Sequence, residues 1–99
     1  MLGKIFKGKN TVSFYDNPPN SEFDTSWSSN VPEFIKDKCE NAKVIESHVG
    51  SDHDDARYHD TRTVEFDIEG ALVRCHISFD HDNVCDSTYI NYTLHLICY

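Results

Sequence analysis

Thr63-Val64-Glu65-Phe66-Asp67-Ile68-Glu69-Gly70-Ala71-Leu72-Val73-Arg74-Cys75-His76 is the stretch that decides the fold. Apolar and polar residues alternate on both sides of Glu69-Gly70, which is the period of a half-buried strand, and the Glu-Gly pair stands where a tight hairpin turn belongs. Folding the two runs together sets Ile68 opposite Ala71, Phe66 opposite Val73 and Val64 opposite Cys75 on an apolar face. The other face then pairs Glu65 with Arg74 and Thr63 with His76, a sensible polar arrangement.

Working outward, residues 88–98 alternate in the same way. Ile90, Tyr92, Leu94, Leu96 and Cys98 fall on one side, and Tyr89, Asn91, Thr93, His95 and Ile97 on the other. This run is expected to lie beside 71–79. Residues 44–49 are rich in β-branched side chains and stop at Gly50, so they read as a further strand. Between 30 and 43 the period changes to that of a helix. Asn30 is placed to cap it, Pro32 is tolerated in its first turn and Glu33 completes a near capping box. Val31, Phe34, Ile35, Cys39 and Ala42 then share one face, with Lys36, Asp37, Glu40 and Lys43 largely opposite, so Cys39 reads as a core thiol. Residues 11–15 form a short alternating run suited to an edge strand. Residues 1–10 are a basic lead-in, and 16–30 a polar connecting loop pinned by Phe23 and Trp27.

The expected fold is therefore α+β: an antiparallel meander sheet of three to four strands with one amphipathic helix packed on its apolar face. The chain's 99 residues are enough for one domain and one core, spanning 1–99.

Charge is unevenly distributed. Residues 1–49 hold six Lys/Arg against seven acids, whereas 50–99 hold three against ten, out of a net −8. Such a surface repels nucleic acid and anionic lipid and steers association toward basic partners. The basic start Met1-Leu2-Gly3-Lys4 is followed by no apolar run long enough for a secretion signal or a membrane span. With four cysteines and no CxxC pair, free thiols in a reducing cytoplasm are expected rather than a thiolate zinc knuckle.

Two segments, residues 51–60 and 79–83, concentrate Asp52, Asp54, Asp55, Asp60, Asp80 and Asp82 with His53, His59 and His81. In a meander both leave the same end of the sheet, on stems about 5 Å apart. Metal binding is one reading: the three histidines with neighbouring carboxylates offer donors for zinc or another divalent transition metal, although no HExxH or EF-hand spacing accompanies them. Catalysis is disfavoured. Cys75 and His76 are strand neighbours pointing to opposite faces, carboxylates around Cys85 would raise its thiol pKa, and no glycine-rich phosphate cradle is present.

The favoured reading is a non-enzymatic, cofactor-free binding protein that inhibits or neutralises a basic partner such as a nuclease, a toxin or a nucleic-acid-binding complex. Immunity proteins and phage-type inhibitors of the anti-defence or anti-CRISPR kind share this size and charge. Asp52, Asp54, Asp55, Asp60, Asp80 and Asp82 would make the contacts, with Glu65 and Asp67 as secondary charges and Tyr58 as an amphipathic anchor. Outward positions on a strand repeat at about 7 Å, near the spacing of phosphates along nucleic acid, so mimicry of nucleic acid is one route. The protein would bind no nucleic acid or membrane directly and would be a monomer or homodimer. A further reading makes it an assembly subunit, with the Tyr89/Ile97/Tyr99 side of the last strand as a pairing edge.

Overall fold

The computed structural model describes residues 2–18, 27–50, 57–82 and 86–98. Its elements are α1 (Leu2–Phe6), β1 (Thr11–Asn17), β2 (Ser28–Ser29), α2 (Glu33–Glu40), β3 (Lys43–His48), β4 (Arg57–Ile68), β5 (Ala71–Asp82) and β6 (Ser87–Cys98). The strands form one antiparallel sheet in the order β2-β1-β6-β5-β4-β3.

The hairpin at Gly70 has the register its alternation requires: Ile68 faces Ala71, Phe66 faces Val73, Val64 faces Cys75, Glu65 faces Arg74 and Thr63 faces His76. Glu69 and Gly70 both take positive φ at the turn (52° and 85°), the paired left-handed conformation that matches strand twist in a two-residue loop. The β3 reading is also met, since residues 43–48 are strand and not helix.

The α+β expectation is overturned: the molecule is predominantly β, a six-stranded sheet accompanied by helices of five and eight residues. Two physical reasons account for the difference. First, β1 pairs with β6, Thr11 opposite His95 and Phe14 opposite Tyr92, and β2 extends that edge. Nothing local in the chain announces a partner so distant. Second, the long strands outrun any helix this sequence can make. Twelve residues of strand span about 40 Å, whereas eight of helix span about 12 Å, so α2 covers a patch of the sheet rather than forming a layer on it. Val31, Ile35 and Cys39 are buried against Val64, Phe66, Val73, Cys75 and Leu94.

Smaller corrections follow the same logic. The lead-in folds as α1, whose Ile5 and Phe6 are buried in the core. Asn30 does not cap α2, which starts at Pro32 without a side-chain cap. Instead its Oδ1 accepts the Tyr15 N–H at 2.6 Å while its own N–H donates to the Tyr15 carbonyl at 3.0 Å, tying the helix entry to β1. Trp27 is exposed rather than a pin, and Phe23 lies outside the described residues. Finally, β6 is hydrogen-bonded to β5 along its length and to β1 over Ile90–His95, so that stretch offers no edge for assembly; Tyr99 lies outside the described residues. The outermost strands are β2 and β3.

Candidate functional site

Strands β4 and β5 reach into the segments read as loops, β4 from Arg57 and β5 as far as Asp82. Arg57 pairs with Asp82, Tyr58 with His81, His59 with Asp80 and Asp60 with Phe79, and β6 adds Tyr89 beside Asp80 and Ser87 beside Asp82. The described parts of the two polar segments, 57–60 and 79–82, are therefore rungs of one ladder at the end of the sheet remote from Gly70. Asp52, His53, Asp54 and Asp55 lie outside the described residues, as does the side chain of Tyr58.

Side-chain alternation then divides the acids between two faces. Asp80 and Asp82 stand on the open face of the sheet, away from α2. The Asp80 carboxylate is hydrogen-bonded to His59 Nδ1, both groups about half exposed. Asp60 turns to the helix-bearing face, where its Oδ1 accepts the Gly50 N–H at 3.0 Å. His59 and His81 likewise project to opposite faces, and His81 Nδ1 is hydrogen-bonded with Thr88 Oγ1 at 2.8 Å. These two histidines cannot grip one ion together. Among the described residues no group of three or more His, Cys, Asp or Glu side chains is placed to hold a metal.

Further down the open face, the acidic stripe is interrupted. Two uncharged rungs follow His59–Asp80–Tyr89: Thr61–Ser78–Asn91–Tyr15 and Thr63–His76–Thr93–Ser13. Hydroxyls and imidazoles are hydrogen-bonded across them, Thr63 Oγ1 with His76 Nδ1 at 3.2 Å and Ser13 Oγ with Thr93 Oγ1 at 3.3 Å. Glu65 comes next and is occupied: Arg74 donates to its Oε1 from Nε at 3.1 Å and from Nη2 at 2.8 Å. Asp67 is exposed near the hairpin turn. Asp80 and Asp82 thus stand roughly 20 Å from the Glu65–Asp67 pair, at six residues of strand. Among the described residues, the evenly repeated charge that nucleic-acid mimicry requires is not laid out along this face. Asp86, absent from the sequence-derived contacts, joins Asp80 and Asp82 as an exposed acid at the same end. It lies three residues past the 79–83 segment, and that proximity was the available signal.

On the helix-bearing face, where α2 stops short, a groove of about 440 Å³ remains. Ile77, Phe79, Ile90 and Tyr92 form its floor, and Lys36 and Cys39 of α2 face Arg62 of β4 across it. Beside it the Lys36 ammonium meets Asp16 Oδ2 at 2.8 Å, with the Asp16 side chain 8% exposed. Burial first, then the Asp16 carboxylate, pushes the Tyr92 phenol up to about 12 from its ordinary 10. Between those values the folded protein keeps a proton that the unfolded chain has released. Stability from this group is therefore intact below pH 10 and lost as pH rises toward 12, by about 2 kcal/mol. Urea titrations across pH 9–12 should show the decline, and Tyr92→Phe should make it shallower.

Gly50 sits where β3 closes onto β4. A Cβ there would overlap the backbone carbonyl of His59, so Gly50→Ala forces the strand entry apart. A loss of about 2 kcal/mol is expected, read as a lower urea midpoint together with faster amide exchange at Gly50, whose N–H is held by Asp60.

No protein-family model, curated protein or solved structure matches the chain. No helix among the described residues is long and apolar enough to cross a membrane.

Proposed function

We propose that this protein is a small acidic binding protein that inhibits or neutralises a basic partner, a nuclease, a toxin or a nucleic-acid-binding complex, without catalysis of its own. The observation that carries the reading is the concentration of charge. Most of the net −8 belongs to residues 50–99, and Asp80, Asp82 and Asp86 are carried on the remote end of β5 and the turn into β6. Rigid strands supply the scaffold that a preorganised contact needs, and a single-sign patch raises the encounter rate with a cationic surface. Occupation of Glu65 by Arg74 makes it a minor contributor, and Asp60 acts on the sheet edge rather than on a partner at the open face.

Action in the cytoplasm fits the described thiols, Cys39, Cys75 and Cys98, all of which are free. The test is affinity capture from the native host at about 50 mM and about 500 mM salt, the range over which charge-driven association is screened. The reading expects a basic protein retained at low salt and released at high salt. Retention of only acidic or salt-indifferent proteins would contradict it.

A further inference from the structure

The sheet ends in two very different strands. β2 is two residues long, whereas β3 has six, every one of them exposed. No further strand lies beside β3 among the described residues, so its outer N–H and C=O groups are open to a partner backbone. Val44, Ile45 and Val49 are 51%, 45% and 65% exposed, which concentrates large apolar side chains along this one edge. Charge does not keep a second chain away from it, because residues 43–49 hold one lysine and one glutamate.

Pairing with β4 sorts the side chains of β3. Glu46 and His48 lie opposite Thr63 and Thr61, on the open face, and Ser47 lies opposite Arg62, on the helix-bearing face. Ile45 and Val49, two residues to either side of Ser47, share its side. Neither Glu46 nor His48 has a side-chain partner among the described residues. The register shift between Val44 and Glu46 bends the strand there, so a pairing segment has to be centred toward its C-terminal end.

We propose that β3 pairs with β3 of a second copy of this chain, antiparallel about a two-fold axis at Ser47, joining two six-stranded sheets into one. In this register Glu46 stands opposite the partner's His48, and His48 opposite the partner's Glu46, so each imidazole N–H can donate to a carboxylate on the open face. On the other face Ile45 meets the partner's Val49, and Val49 the partner's Ile45, which covers exposed apolar groups on both copies. Moving the axis one residue, to Glu46, would instead oppose two carboxylates. Five rungs extend about 17 Å along the edge. The contact belongs to the weak, transient class, under about 1,200 Å², and a dimer is expected at about 0.5 mM protein and a monomer at about 5 μM. The pairing does not rest on the proposed binding function, since antiparallel strands point the Asp80–Asp82 ends of the two copies in opposite directions.

The test is sedimentation of the folded chain at about 0.15 M salt, with reductant present to keep the exposed Cys98 from linking copies. A concentration-dependent dimer is expected, with amide resonances of 45–49 shifting as protein concentration rises and those of β1 unmoved. Glu46→Lys puts a cation opposite each imidazole and should weaken the dimer about tenfold. Combining it with His48→Glu exchanges the two members of the pair and should restore the dimer. Because every β3 side chain is exposed, these changes leave the core intact, and thermal melts check it. Three outcomes overturn the proposal, and the first two need no substitution: the chain stays monomeric at about 0.5 mM, the concentration-dependent shifts fall outside β3, or the exchanged variant melts like the parent yet does not recover the dimer.

Discussion

Replacing Lys36 by methionine is expected to destabilise the protein by about 3 kcal/mol, a fall in melting temperature of roughly 10–20 °C for a chain of this size. The cause lies in Asp16. It is a β1 residue whose side chain is almost wholly buried against the sheet, with Oδ2 held by the Lys36 ammonium at 2.8 Å. Its Oδ1 has no hydrogen-bond partner among the described residues. Removing the ammonium leaves a buried carboxylate with nothing to offset its desolvation. The pair also joins elements far apart in the chain, β1 and α2, so its loss loosens the helix from the sheet. Combining Lys36→Met with Asp16→Leu should recover most of the lost stability, because an apolar pair no longer asks for solvation. Thermal melts of the two variants check this, and an unchanged melting temperature for Lys36→Met would mean that Asp16 is not buried as described.

The second large effect concerns binding. Converting Asp80, Asp82 and Asp86 together to lysine changes the net charge from −8 to about −2 and reverses the sign of the remote end of the sheet. Affinity for a cationic partner should fall at least about 100-fold at low ionic strength, with the larger part in the association rate. The exposed His59–Asp80 pair contributes on the order of 0.5 kcal/mol, and Asp82 and Asp86 have interactions of their own to lose. A thermal melt of the lysine variant, run beside the binding measurement, separates a binding defect from a folding defect.

How far the sequence carried this structure depended on the distance over which each signal acts. The β4–β5 hairpin was legible residue by residue, because two alternating runs joined by Glu69-Gly70 fix a register without outside help. The inward face of α2 was legible for the same reason: Ile35 and Cys39 follow helical spacing and are buried, with Val31, just ahead of the helix, buried in the same cluster. What stayed hidden was decided by remote partners. Asn30 has the chemistry of a helix cap, yet the Tyr15 backbone competes for it and wins. His59, Asp80 and Asp82 have the polarity of loop residues, but cross-strand pairing extends the ladder through them. At the site, the pairing of 57–60 with 79–82 followed from meander topology alone. Their division between faces did not, because it depends on where each strand begins, and the parity of Asp60 against Asp80 settles only once residues 57–62 are known to be strand.

Recognition of a basic protein by the acidic end of the sheet is the proposal to be tested. Its most direct measurement is the affinity of the captured partner for the parent and for the Asp80→Lys/Asp82→Lys/Asp86→Lys variant, each across a series of salt concentrations. The prediction is tight, strongly salt-dependent binding by the parent, and weak binding with a flattened or inverted salt dependence in the variant. Equal affinity and equal salt dependence for the two proteins would contradict it.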